Sequence, residues 1–358
     1  MTTIMIIRVI MSVYFTLSFT EKAILENNIE NCSPDAASKK RVCILCIIYG
    51  LIFAQKYKTN GYFCNLKADY MNAIASSELI INSDGSVFHL HMTPFQLADR
   101  VILVGDPGRV ALVSSFFESI ECQNASREFV SATGSFKGKR ITVLSTGIGT
   151  DNIDIVLNEL DALANIDFET RTPRSEHKRL RILRIGTSGA IQPDIPLGSF
   201  VLSHISVGCD GLLNWYAGRE KVTIKEMEDS FMKHTGWLPQ LPWPYFASAS
   251  PGLIDDFKDF TIPGVTISAS GFYAPQGRVL RLPLSMPDMM EKFESFKYGD
   301  YRITNFEMEG SAIAGLSAHL GHDAATVCCI IANRHLHESQ PDYKPFVKRL
   351  IELSLERI

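Results

Sequence analysis

Three stretches of this chain share one design: a short run of β-branched and other apolar residues, then glycine. They are RVILVGDPG at 100–108, RITVLSTGIGT at 140–150 and LRILRIGTSGAI at 180–191. Runs this short and this apolar fit strands buried on both faces, and helical patterns follow two of them. VALVSSFFESI at 110–120 reads as a helix, and DNIDIVLNELDAL at 151–163 reads as an amphipathic one capped by Asp151 or Asn152. SFVLSHISVG, GVTISASGFY and ATVCCIIAN add strands, GSAIAGLSAHLG is a helix stopped by Gly321, and YKPFVKRLIELSLERI closes the chain as an amphipathic helix. Buried strands alternating with helices predict an α/β fold with a twisted mixed central sheet flanked by helices. Ligands in such folds gather at the carboxyl ends of strands, where the glycine turns fall.

Two stretches break the rhythm. FETRTPRSEHKRLR at 168–181 reads as a solvated loop, and HTGWLPQLPWPYF at 234–246 is rich in tryptophan and proline. The first is basic but has no interleaved aromatics, and the chain as a whole carries a formal charge of −4. A nucleic-acid binder is usually basic, so that class is set aside. Small anionic substrates stay in play, because a few local arginines outweigh a mild global sign.

The first seventy residues follow no such pattern. MTTIMIIRVIMSVYFTLSF and CILCIIYGLIFA are apolar, but the second is short for a bilayer span. The first resembles the apolar region of a secretory signal, but its only early charge is Arg8 and no clear small-residue cleavage site follows. Orderly globular sequence begins just after Met71. The expectation is a leader over 1–70, an erroneous extension or a weak anchor, and one α/β domain over 71–358, cytoplasmic and without a membrane part of its own. The eight cysteines are irregularly spaced, and the lone Cys43/Cys46 pair has no second pair to answer it, so reduced thiols are expected.

Four motifs carry polar chemistry. In VGDPGRV the glycines let backbone N–H groups approach an anion, and Arg109 offers a planar fork for phosphate, although the same four residues make an ordinary tight turn. Arg184 ends an apolar strand and either reaches the ligand edge or pairs with an acid, with Thr187 in the turn beyond. In GFYAPQGR, Gln276 and Arg278 lie two apart, suited to the carbonyl and N–H edge of a planar heterocycle with Phe272 stacking nearby; the alternative is a polar surface loop. In NFEMEGSAI, Glu307 and Glu309 flank Met308 at a helix start. The helix dipole welcomes one such acid, but carboxylates beside so apolar a surface need partners, and vicinal sugar hydroxyls would serve.

Taken together and in order, VFHLHM, GDPGRV, SREFV, STGIGTDNI, RIGTSGAIQPDIPLG, GFYAPQGR and NFEMEGSAI resemble the uridine phosphorylase branch of the nucleoside phosphorylase superfamily. The resemblance runs from about Ser86 to the C-terminus. It implies phosphorolysis of uridine to uracil and ribose 1-phosphate, with no cofactor, in a ring-like hexamer of dimers whose sites are shared between subunits. It assigns phosphate to Gly105, Arg109, Arg184 and Thr187, with Arg127 reaching in from a neighbouring subunit. It assigns ribose to His89, Thr187, Glu307, Met308 and Glu309, and the base to Phe272, Gln276 and Arg278. Arg184, Arg278 and Glu309 would carry catalysis. His89/His91 and His335/His337 form H-x-H pairs, but no catalytic metal is expected; a structural monovalent cation near Glu128 occurs in some relatives.

Two departures bear on specificity. Asn333 stands where purine-cleaving relatives place an aspartate, and Ala274-Pro275 stands where close relatives often read Pro-Gly. The alternatives are a phosphorylase of broader base range, a nucleosidase, or a nucleoside-binding protein without activity. The glycine turns lack the fingerprint of a dinucleotide-binding dehydrogenase.

Overall fold

The computed structural model describes residues 73–358. The expected leader, the Cys43/Cys46 pair and the expected start at Met71 lie outside those residues. In chain order the strands are β1 (Arg100–Val104), β2 (Ser119–Ser126), β3 (Phe129–Phe136), β4 (Lys139–Ser145), β5 (Ile166–Asp167), β6 (Thr172–Pro173), β7 (Arg181–Ala190), β8 (Phe200–Gly208), β9 (Tyr245–Ser248), β10 (Ile262–Ser268), β11 (Lys297–Tyr298), β12 (Tyr301–Glu307), β13 (Asp323–Asn333) and β14 (Glu338–Ser339). The α-helices are α1 (Pro107–Ser114), α2 (Thr150–Asn165), α3 (Lys225–Thr235), α4 (Pro251–Phe257), α5 (Met289–Ser295), α6 (Gly310–Leu320) and α7 (Lys344–Arg357).

Twelve strands form one mixed sheet in the order β11-β12-β10-β8-β13-β7-β1-β4-β3-β2, with β14 on β13 and β9 on β8. β1 runs parallel to both β4 and β7, and β7 runs parallel to β13. β12 also turns back onto β7 through Asn305↔Ala190 and Phe306↔Gly189, antiparallel. That contact closes β7, β13, β8, β10 and β12 into a ring, which alternation of strands and helices does not foretell.

The mixed α/β architecture matches the sequence expectation, while several local details differ. The helix expected over 110–120 ends at Ser114, because its second half, from Ser119, enters the antiparallel arm β2–β3–β4. α2 is capped by Gly149 at φ 100°, not by Asp151 or Asn152. A residue with a Cβ avoids that φ, so the glycine itself turns the chain into the helix. The glycines of LRILRIGTSGAI make no turn, for β7 runs straight through them to Ala190. The basic 168–181 stretch is not merely solvated: β5 and β6 pair there, and Arg171 donates to the carbonyls of Ile74, Ala75 and Leu79.

Helices cover the sheet on both faces. α2 and α6 bury Ile153, Leu157, Leu160, Ile313 and Leu316 in one layer, together with Val101, Leu103 and Ile182 from the strands. α1, α4 and α7 cover the other layer, with Val110, Leu253, Leu350 and Ile351 against Ile102, Val143 and Leu183. A third cluster of Phe231, Phe246, Phe293, Phe296 and Phe306 supports β10 and β12. Each buried side chain of this size stabilises by about 1.5–3 kcal/mol, so the strand ends rest on a rigid base.

Candidate active site

The register fixes where the polar residues meet. Leu103 and Val104, at the end of β1, lie beside Arg184 and Ile185 on β7. Ser268, at the end of β10, lies beside Glu307 at the end of β12. The carboxyl ends of β1, β4, β10 and β12 and the adjoining part of β7 therefore converge on one rim.

Arg184 is the centre of that rim. It is 5% exposed, with Nη1 3.2 Å from Glu307 Oε2 and Nη2 bonded to Glu309 Oε2. Burial alone would lower its pKa; Glu309 and Glu307 outweigh that and hold it above the ordinary arginine range. A Cβ on Gly186 would stand 2.1 Å from Arg184 Nη1. The glycine two residues on thus makes room for the guanidinium, which is why β7 carries it within a strand. Cys328 Sγ, at 3.5 Å, backs the same guanidinium from β13.

Glu307 is held by its own chain. Its carboxylate accepts from the N–H groups of Glu309 and Gly310 at 2.8–2.9 Å and from the Ser268 hydroxyl. It satisfies the orphan donors at the start of α6, the service a capping residue gives. Glu309, the residue before α6, accepts from Gly149 N–H at 2.7 Å through Oε1. Burial, then Glu307, pushes the Glu309 pKa up despite Arg184. One guanidinium between two buried carboxylates explains the direction.

Arg109 lies on the first turn of α1, with Nη1 3.3 Å from the Ile185 carbonyl. Burial, then the nearby Arg184 charge, lowers its pKa. An arginine whose charge is disfavoured by burial and by a neighbouring guanidinium gains from an anion placed beside both. Gly105 is the residue between β1 and the Asp106 cap of α1, and Thr187 lies three residues beyond Arg184 on β7. Gly105, Arg109, Arg184 and Thr187 thus share the rim.

Arg278 and Gln276, expected from their spacing to face a planar ring, bond to each other. Arg278 Nη1 donates to Gln276 Oε1 and, at 2.6 Å, to the Phe272 carbonyl, while its guanidinium lies 3.8 Å from the Phe272 ring centroid. Gln276 is buried but Phe272 is 51% exposed. Arg334, at the end of β13, is a member of this group that the motifs did not single out as a site residue. It donates through Nη1 to the Gln276 carbonyl and lies over the Phe306 ring, and burial, then the Arg278 charge, lowers it to about 10. The adjacent Asn333 turns inward: its amide donates to the Gln192 and Ile195 carbonyls and its oxygen accepts from Leu336 N–H. Ala274 and Pro275 back onto an apolar cavity of about 200 Å3 lined also by Cys209, Trp237, Met289 and Phe293.

Two expected residues stand apart from this group within the one chain. Arg127 occupies the β2–β3 turn at φ 54°, exposed, with no hydrogen bond or ion pair to the other site residues. His89 is held by Glu159 of α2, which takes its Nδ1 at 2.6 Å and its backbone N–H at 3.1 Å. Glu128 accepts from Asn152 at 3.2 Å. Met308, between the two carboxylates, is partly exposed.

Outside the rim, Asp161, His177 and His322 bring ligand-type atoms within 4.8 Å of one another. His322 Nδ1 accepts the Leu180 N–H at 3.2 Å, so in the neutral ring Nε2 carries the proton and faces Asp161 at 3.2 Å. That tautomer leaves no lone pair on Nε2 for an ion. Of the H-x-H pairs, His335 is bonded to Glu294. Among the described residues no helix is long and apolar enough to cross a membrane.

Comparison with known proteins shows the family. Residues 99–355 match the model of the phosphorylase superfamily. The chain is 28% identical over 272 residues to the uridine phosphorylase of Thermococcus kodakarensis, covering 74% of this chain and 83% of the relative. It is 29% identical over 268 residues to that of Escherichia coli, covering 72% and 89%. A DeoD-type purine nucleoside phosphorylase of Bacillus thuringiensis is 26% identical over 243 residues, covering 68% and 85%. Among solved structures, a Trypanosoma brucei nucleoside phosphorylase described as showing uridine phosphorylase activity superposes with a TM-score of 0.72 at 31% identity, covering 78% of this chain and 98% of that one. A family match across most of the described residues, on a rim of paired arginines and buried carboxylates, places this chain in the phosphorylase superfamily, among its nucleoside phosphorylases.

Proposed function

We propose that this protein cleaves uridine with inorganic phosphate, giving uracil and ribose 1-phosphate. The observation that carries the reading is the ion pair between Arg184 and Glu309, which joins an anion pocket to a sugar-binding carboxylate. Phosphate takes Arg184 and Arg109, with Gly105 and Thr187 beside it and Arg127 from a neighbouring subunit. Glu309, relieved of part of its bond to Arg184, accepts the 2′ and 3′ hydroxyls of ribose, while Met308 packs on the sugar and His89 of the neighbour approaches the 5′ end. Glu307 acts at one remove, holding both Arg184 and the start of α6 in place.

The base lies against Gln276 and Arg278. Gln276 reads the O2/N3 edge, and Arg278 faces the charge that develops as uracil departs. As the glycosidic bond lengthens, positive charge grows on the ribose and phosphate oxygen approaches C1′ from the opposite face. The bond to uracil breaks with its electron pair going to the base, and the bond from phosphate to C1′ forms. Catalysis is positioning and electrostatics, with no covalent enzyme intermediate. Asn333, locked to the backbone, offers no acid for a purine ring, and this favours pyrimidine over purine. The purine phosphorylase relative is almost as similar as the uridine phosphorylases, so the base is the point to test.

The test is base release from uridine, thymidine, inosine and adenosine in phosphate. Uridine should lead by at least tenfold in kcat/KM. Inosine or adenosine ahead of uridine would refute the base assignment while leaving the phosphorylase reading standing.

A further inference from the structure

Behind Glu309 lies a second buried polar chain that starts from a carboxylate outside the rim. Asp210 follows β8 by two residues. Its Oδ1 accepts from Leu212 N–H at 2.7 Å and from the Tyr245 hydroxyl at 2.9 Å, and its Oδ2 accepts from the Ser311 hydroxyl at 2.8 Å. Ser311 is the second residue of α6, two beyond Glu309. Its backbone N–H donates to Ser268 Oγ at 2.8 Å, and Ser268 donates to Glu307. The α6 start is therefore gripped twice, by Glu307 from β12 and by Asp210 from β8.

The hydrogen count specifies direction. Tyr245 and Ser311 each have one hydroxyl proton, and both oxygens lie within bonding distance of the carboxylate. Burial, then the Asp210 charge, keeps the Tyr245 phenol well above its ordinary range, so it remains a donor. Three donors on one carboxylate favour an ionised Asp210 against the burial that raises its pKa, and they commit most of its lone pairs to the protein.

From this geometry we infer that Asp210 is a positioning residue for the sugar half of the site, acting through Ser311 on the turn that carries Glu309. The phosphate half rests on α1 and β7 and is reached only indirectly. Loss of Asp210 should therefore weaken the nucleoside more than phosphate. An asparagine there keeps one acceptor oxygen and loses the charge, so the charge-assisted bonds from Tyr245 and Ser311 cannot both survive and the α6 turn is held less firmly.

The inference rests on the nucleoside phosphorylase reading, so wild type is assayed alongside on the full nucleoside panel, and the best nucleoside is used throughout. If wild type releases no base from any nucleoside in phosphate, that reading fails. The split is then read from calorimetric Kd values for uridine and for inorganic phosphate. The variants are Asp210→Asn, Ser311→Ala, their double, and Tyr245→Phe as the milder change should Asp210→Asn not fold. Asp210→Asn should raise nucleoside KM, or Kd, about tenfold and leave the phosphate value within twofold. Ser311→Ala should do the same, and the double variant should be no worse than the worse single, since both cut one chain of bonds. Tyr245→Phe should raise the nucleoside value about threefold. Equal losses for nucleoside and phosphate, additive losses in the double variant, or lower thermal stability with unchanged kinetics would overturn the assignment.

Discussion

The two halves of the rim are built in opposite ways. Arg184, Glu307 and Glu309 are each 5% exposed or less, and every carboxylate oxygen has a donor from the protein. The base half hangs on a short 3-10 turn at Ala274–Gln276. Phe272, Tyr273, Val279, Leu280 and Leu282 around it are all more than half exposed. Under the proposed function the sugar and the phosphate co-substrate change little from one nucleoside to the next, so a fixed frame suits them. The base varies, and the segment that meets it has few buried contacts and more freedom to adjust. Under the proposed function, reaction type rests on the rigid half and substrate range on the looser one.

The sharpest way to break this contrast is Arg184→Ala. It leaves Glu307 and Glu309 buried without a countercharge, which should cost about 3–5 kcal/mol of stability as well as nearly all activity. Thermal unfolding together with base release checks both. If stability is untouched, the rigid half is not the frame described. Arg278→Ala, on the looser half, should lose about 3 kcal/mol of transition-state stabilisation, seen in kcat/KM for uridine, with the melting temperature almost unchanged. An equal fall in stability would erase the difference between the halves.

Gly186→Ala tests the room that β7 leaves. The added methyl would strike Arg184 Nη1. A displacement of about 1 Å in a positioning group costs about 10²-fold, expected here in kcat/KM for phosphate. Unchanged kinetics would show that Arg184 has another resting place. Glu309→Gln is subtler: it should cost ribonucleosides about 1.5 kcal/mol more than 2′-deoxynucleosides, which already lack one hydroxyl contact. Identical losses would remove the ribose grip.

The smallest effect is in pH. Only ionised Glu309 accepts two hydroxyls, and burial raises its pKa. As pH falls, nucleoside KM should therefore rise from a pH above the ordinary glutamate range, and Glu309→Gln should flatten that limb. For stability the sign is opposite. A carboxyl raised on folding binds protons more tightly in the folded state, so it costs stability above its raised pKa, and the cost fades as pH drops through it.

Much of this was legible in the chain. An arginine ending an apolar run is expected to reach the ligand edge or pair with an acid, and Arg184 meets two acids, Glu307 and Glu309. The Gln276–Arg278 spacing put two polar groups on one turn, and they bond. What stayed hidden depends on contacts that only the folded chain shows. The closure of β12 on β7 hangs on Asn305 and Phe306, and nothing local marks them. Gly186 looks like a turn residue until Arg184 is seen to need its space. Asp210 sits in an unremarkable CDG triplet, and only the fold brings Ser311, 101 residues on, to its carboxylate.

The most direct test of the central claim is uracil release from uridine with and without inorganic phosphate, with the sugar product identified. Release only with phosphate, and ribose 1-phosphate as the product, is the predicted result. Release without phosphate, giving free ribose, would contradict it and leave the pairing of Arg109 with Arg184 without its proposed ligand.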